Sequence, residues 1–333
     1  MKKTFSRSSL SFFLITTLIL ISSAREAKAC DFCMLGQGVS PYLTATGKGL
    51  TIGMDYRELD HVYNKTDRIE SNGKKEAWLT YSLTGFYPLT DDLTILVTIP
   101  YASKTNVDLD DSSGLNTGTL SSGIGDMTIT GRYTLIKDHS LESTLIGGLL
   151  FGIKLPTGTT NTRDRLGAPI DRHALPGTSS TDFDLGFSGS YSVASGFQLT
   201  TDAVYRVSTE GKWDERDHRY GNMFNYAVKA FYRVAKTEAG ASFMPFIGVS
   251  GETTGKEKGT LADDGTYDSE FLNPSTGGTE LFFDVGLYSI LSQNVLVNMG
   301  FSKAFYHYLN FAEGYEADPA ENYKVDFSLS YLF

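Results

Sequence analysis

Apolar and polar positions alternate along most of this chain with a period of two. At the C-terminal end, Tyr323, Val325, Phe327, Leu329, Tyr331 and Phe333 share one face, and Lys324, Asp326, Ser328 and Ser330 share the other, with Leu332 as the exception. Residues 223–235 set Phe224, Tyr226, Val228, Ala230, Tyr232 and Val234 against Asn225, Lys229 and Arg233. Residues 182–193 do the same with Phe183, Leu185, Phe187, Tyr191 and Val193 against Asp182, Asp184, Ser188, Ser190 and Ser192. A helix with charges at every second position would bury several of them, so the period predicts strands. The same alternation predicts twelve, at 49–60, 74–88, 93–104, 123–137, 141–155, 181–194, 196–209, 222–235, 241–253, 278–291, 294–307 and 321–333.

The connections alternate as well. Leu89–Asp92, Asp138–Ser140, Ser195, Lys236–Gly240 and Ser292–Gln293 are short, whereas 105–122, 156–180, 254–277 and 308–320 are long and rich in Gly, Asp, Ser and Thr. Loops segregated by length at the two ends of the strands predict an all-β fold, a transmembrane antiparallel barrel of about twelve strands. Its short turns face the periplasm and its long loops the exterior. Each strand then offers one face to lipid and one to the lumen, so no apolar run of ~20 residues is needed to cross the membrane. Phe333 closes the last amphipathic strand and is expected to act as the signal read by the barrel-assembly machinery.

The N-terminus fits export to that membrane. Lys2, Lys3 and Arg7 precede the apolar run Leu10–Ile21, and Ala27-Lys28-Ala29 offers a cleavage site, the layout of a secretory signal peptide over residues 1–29. The expected organisation is this signal peptide, a periplasmic segment 30–48, and a barrel over 49–333. Without residues 1–29 the chain carries 24 basic and 38 acidic residues, and its net charge moves from −10 to about −14. Such an acidic chain is a poor partner for nucleic acid.

Candidate chemistry is sparse. The five histidines form no HExxH, and there is no GxSxG. No enzymatic activity, cofactor or catalytic residue is therefore expected. Cys30 and Cys33 form a CxxC followed by Met34, so the histidine of a covalent haem site is missing. In an oxidising compartment the pair can form a local disulfide, take part in metal binding or redox exchange, or carry lipid on Cys30. The larger clue is charge on the polar strand faces. With the apolar face toward lipid, the lumen receives Asp55, Arg57, Glu76, Asp126, Arg132, Lys154, Asp182, Asp184, Asp202, Arg206, Lys229, Arg233, Glu280, Asp284, Lys324 and Asp326. Buried charges persist only when paired or hydrated, so these residues either cross-link a narrow barrel or line a polar passage.

Three motifs stand apart from the barrel periodicity: Ile99-Pro100-Tyr101, Gly123-Ile124-Gly125-Asp126, and Lys154-Leu155-Pro156-Thr157-Gly158 followed by Pro176-Gly177-Thr178-Ser179-Ser180-Thr181-Asp182. Their order and placement resemble the outer-membrane transporter-like family named for a MetA pathway of phenol degradation, over roughly residues 45–333. The resemblance implies passage of small organic molecules, aromatic ones among them, across the bacterial outer membrane. Two other functions fit the residues. One is a plugged structural barrel whose loops or N-terminal segment dock a periplasmic or surface partner, for example a redox protein. The other is a membrane-embedded hydrolase with its site assembled from separate strands.

Overall fold

The computed structural model describes residues 47–69, 75–107, 119–163, 170, 172–214, 216–237, 241–261, 267–312 and 319–333. The expected signal peptide, Cys30 and Cys33 lie outside these residues.

Twelve spanning strands form the wall: β1 Gly49–Asn64, β2 Lys75–Pro88, β3 Leu93–Val107, β4 Thr128–His139, β5 Ser143–Lys154 and β6 Asp182–Val193, followed by β7 Phe197–Val207, β8 Met223–Tyr232, β9 Ser242–Thr254, β10 Gly278–Ile290, β11 Val295–Leu309 and β12 Ala320–Leu332. Each pairs antiparallel with its sequence neighbours, and β1 pairs with β12, from Gly49↔Leu332 to His61↔Ala320, which closes the ring. Closure leaves no strand edge with unpaired backbone groups in the hydrocarbon. Among the described residues no helix is long and apolar enough to cross a membrane; the strands do the crossing.

The period-two pattern sorts the side chains. Leu50 and Ile52 of β1, Phe183 and Leu185 of β6, and Phe327, Leu329 and Tyr331 of β12 stand exposed on the outer wall. Thr51, Asp55 and Arg57, Asp182 and Asp184, and Lys324 and Asp326 are buried on the inner one. An exposed apolar wall around a charged interior reverses the arrangement of a water-soluble protein and suits a barrel in the bacterial outer membrane.

Two departures from strict alternation matter for the interior. The strand expected over 123–137 is interrupted: Thr119–Ile124 pairs with β3, the ladder stops over Gly125–Met127, and β4 begins at Thr128. Pro100 of β3 lies at this break; its carbonyl accepts the Gly125 N–H at 2.9 Å. The second is a register shift between β1 and β12 near Leu59, which turns Glu321 into the lumen beside Lys324.

Apolar side chains close part of the lumen toward the turn end. Phe86, Leu96, Leu150 and Val204 form one cluster, and Phe231, Met244, Phe246, Tyr288 and Leu296 another. Leu332, the residue that broke the C-terminal alternation, packs against both. A tag inserted at Thr160 is expected to be reached by antibody on intact cells, and one at Asp91 only after permeabilisation; the converse labelling would reverse the orientation.

Candidate functional site: a charged lumen under inward-packed loops

The three motifs meet at the external mouth of the barrel. The break at Gly125–Met127 turns Asp126 inward, where it is 1% exposed. Its Oδ1 accepts the Gly158 N–H at 2.8 Å, and its Oδ2 accepts the Thr178 N–H at 2.8 Å and the Thr178 hydroxyl at 2.6 Å. Lys154, at the end of β5, lies 2.5 Å from Asp182 Oδ2 and 3.5 Å from Asp126 Oδ2, and also donates to Thr178 and Ser180. Gly158 and Gly177 let the two arms of the 156–180 connection touch, since a Cβ on Gly158 would lie 2.5 Å from Gly177 Cα. The connection is thus pinned by the barrel's own buried charges.

Beyond this clamp, residues 172–175 turn into the mouth. Lys104, buried on the inner face of β3, donates to the His173 carbonyl at 2.6 Å and lies 4.6 Å from the Trp78 ring. Ile170, Ala174 and Leu175 pack together with Trp213 of the Gly211–Trp213/Arg216–His218 hairpin, and the Trp213 indole donates to Ile170 O. A single carboxylate joins the loops. Glu257, fully buried in the next connection, receives Arg172 Nη2 at 2.9 Å and His173 Nε2 at 3.0 Å, with His218 Nε2 at 3.6 Å. Its backbone is held from the same connection by the Thr276 hydroxyl and the Asn273 N–H. Burial opposes the Glu257 charge, but His173 and Arg172 outweigh it and hold the carboxyl well below its usual range. Burial drives the His218 imidazole down to about 3, so it is neutral at pH 7.

The lumen below holds two further charge groups and a separate Arg206–Asp184 pair. In the first, Arg57 contacts Asp55 at 2.8 Å and Glu321 at 2.6 Å, and Lys324 contacts Glu321 at 2.5 Å. Both cations also approach Glu252 of β9, at 4.0 and 3.7 Å, although β10 and β11 lie between β9 and β12 in the wall. These ion pairs therefore cross the lumen. Arg206 grips Asp184 through two bonds of 2.7 and 2.8 Å on the adjoining strands β7 and β6. In the second group, Lys229 of β8 is in electrostatic contact with Asp202 and Asp326, and Asp284 with both carboxylates.

The sequence-predicted residues are distributed as follows. Arg57, Asp126, Arg132, Lys154, Asp184, Arg206, Lys229, Asp284, Lys324 and Asp326 are buried on the inner wall, and Asp202 is partly buried there. Arg233 lies beyond the end of its strand. β8 ends at Tyr232, where the chain turns toward Ala235–Lys236, and Arg233 stands exposed with its N–H bonded to Gly196 O. Residues missed were Lys104, Glu252, Glu321, Glu257 and His173. Lys104 and Glu252 share the inward phase of their strands and were legible. Glu321 is out of phase and enters through the register shift, while Glu257 and His173 sit in connections where no period applies. Among the described residues no group of three or more His, Cys, Asp or Glu is placed to hold a metal.

Residues 68–279 match the family described as "Putative MetA-pathway of phenol degradation". The chain belongs to this family. No curated protein matches it. Among solved structures it is similar to the COG4313 outer membrane channel from Pseudomonas putida F1, at 17% identity and a TM-score of 0.60 over 91% of this chain and 100% of that one. It also matches the beta domain of the Bordetella autotransporter BrkA, at 8% identity and a TM-score of 0.44, covering 86% and 100%. A further match is a channel named CymD monoaromatic hydrocarbon channel, at 10% identity and a TM-score of 0.40, covering 88% and 90%. The first likeness supports the twelve-strand outer-membrane fold. The motif residues Pro100, Asp126, Lys154, Gly158, Gly177, Thr178 and Asp182 all lie within the matched stretch and hold the 156–180 connection at the mouth.

Proposed function

We propose that the protein is a non-enzymatic outer-membrane channel for small organic solutes, aromatic ones among them, closed at rest by its own external loops. The observation that carries this reading is the clamp itself. A barrel serving only as an anchor has no need to fold a connection into its mouth and tie it to buried Asp126, Lys154 and Asp182. The interior suits solutes that combine a polar group with an apolar body, because paired charges lie above an aromatic and aliphatic floor. Membership of a family named for phenol degradation supports the same solute class.

Export through a signal peptide over residues 1–29 and recognition of Phe333 by the barrel-assembly machinery belong to this reading. So does contact of segment 30–48, with Cys30 and Cys33, with a periplasmic partner. The plugged structural barrel is the second reading, favoured by ion pairs that cross the lumen and by Leu332 bridging the two apolar clusters. Planar-bilayer recording separates the two. The channel reading expects discrete conductance steps and faster swelling of loaded vesicles with phenol-sized solutes. Silence in both assays, also after the mouth is loosened as described below, would leave the plugged barrel.

A further inference from the structure

Among the described residues, carboxylates outnumber cations in the middle layer of the lumen. Asp202, Asp284 and Asp326 reach it from β7, β10 and β12, and the Lys229 charge acts on Asp202 and Asp326. Asp55 adjoins the group across the β1–β12 ladder, but its Oδ1 is taken by Arg57 at 2.8 Å. The layer is built around these carboxylates. Asn298 Nδ2 donates to Asp326 Oδ2 at 2.8 Å, the Ser250 hydroxyl donates to Asp284 Oδ1 at 3.1 Å, and Gly300 leaves room for the Asp326 carboxylate against β11. Buried carboxylates in excess over cations cost several kcal/mol each unless something neutralises them.

Two atoms define the chemistry of a complementary group. Asp284 Oδ2 and Asn298 Oδ1 are buried without a hydrogen-bond partner, on residues that are 1% and 4% exposed. The Asn298 assignment is fixed, since its amide nitrogen must face the Asp326 carboxylate. Both orphans are acceptors, so the complement donates, and a positive charge on it would offset the excess of carboxylates. A phenolic or alcoholic hydroxyl offers one donor and no charge; an ammonium offers three donors and one charge. A directly coordinated metal ion fits less well, because no three carboxylate or imidazole ligands converge among the described residues.

Next to this acidic layer lies the apolar floor. Lys229 Nζ sits 5.4 Å from the centre of the Phe246 ring, which packs with Phe231, Met244 and Tyr288. An ammonium among the carboxylates would leave an attached apolar group against these rings.

We propose that Asp284, Asp326 and Asn298 form a binding site for the ammonium group of a small organic amine, whose apolar body rests on Phe231, Phe246 and Tyr288. This names a solute class for the lumen and rests on the channel reading, but it predicts binding whether or not the barrel conducts.

The test is calorimetric titration of the purified barrel with benzylamine hydrochloride, with benzyl alcohol and with sodium chloride, for the native protein, Asp284→Asn and Phe246→Leu. Heat-modifiable migration confirms that each variant is folded. Saturable binding of benzylamine is expected, at least tenfold tighter than benzyl alcohol. Asp284→Asn should weaken it roughly tenfold or more, the scale of one charge-assisted hydrogen bond, with benzyl alcohol unaffected. Phe246→Leu should weaken both organic probes. Equal affinity for amine and alcohol would overturn the proposal, as would unchanged benzylamine affinity in Asp284→Asn, or sodium chloride abolishing the heat at millimolar concentration. Benzylamine binding by a barrel silent in bilayers would remove the channel reading and keep the site. Conductance without amine binding would do the reverse.

Discussion

Replacing Glu257 by glutamine is expected to open the mouth of the barrel. The side chain keeps its size, but the charge that holds Arg172 and His173, with His218 packed beside it, is gone. Arg172 is then left largely buried without that counter-charge, and breaking a buried ion pair from one side costs about 3–5 kcal/mol. The cost falls on the closed arrangement, where three connections are tied to the one carboxylate. Once the loops part, the guanidinium is hydrated. The balance between closed and open should therefore shift by roughly two orders of magnitude or more. In bilayers this reads as a large rise in open probability without a change in the amplitude of the fully open step. Unchanged gating with a normally folded barrel would show that Glu257 does not hold the mouth shut.

Acid should weaken the same latch, through His218 first. In the closed state its environment is the Glu257 carboxylate, Arg172, His173 and the edge-on Tyr220 ring, and burial holds it near 3. When the loops separate it returns to about 6.5. The open state then binds more protons between those values, so closure is strongest above pH 6.5 and declines as pH falls toward 3. Glu257 acts in the same direction but later: its contribution is full above about 4.5 and is lost as pH falls through its lower closed-state value. Open probability should accordingly climb below pH 6.5, and His218→Gln should flatten that first part of the curve.

The barrel was legible in the sequence because lipid and lumen impose opposite demands on alternate residues. Most spanning strands carry that alternation, β4 losing it at the bulge near Leu135, and loop lengths predicted the topology. What failed to show were the places where the period breaks. Gly125–Met127 interrupts one strand so that Asp126 can face two backbone N–H groups, and nothing in local alternation marks such a stop. The shift near Leu59 inverts the phase at Glu321. Arg233 follows the end of β8 and stands exposed at the turn, where strand phase no longer governs the side chain. Glu257 depends on partners 84 and 85 residues away in another connection. Asp126 shows in the sequence only as part of a motif, and Glu321 and Glu257 not even so; their roles emerge only in three dimensions.

The second large effect is expected at Asp126, through asparagine. The change is nearly isosteric, yet it replaces a buried acceptor with a donor. With the new carbonyl kept toward Gly158 N–H, the new amide nitrogen must face the Thr178 N–H, two donors about 2.8 Å apart. Turning the amide over moves the same conflict to Gly158. Lys154 loses one of its two carboxylates but keeps Asp182 at 2.5 Å, so the lysine stays compensated and the wall of the barrel should still close. The damage therefore concentrates on the 156–180 connection, with a cost of about 1–3 kcal/mol for the unsatisfied donor and more for the lost charge. Protease added to intact cells should cut this connection near Thr160 much faster in Asp126→Asn than in the native protein, while the membrane yield and heat-modifiable migration of the barrel stay close to normal. Lys154→Met is the counterpart control. It strands Asp126 and Asp182 together without a cation and should lower barrel yield as well as loosening the loop. If Asp126→Asn resists protease like the native chain, the clamp does not hold the connection in the mouth, and the gate must be sought in the Glu257 cluster alone.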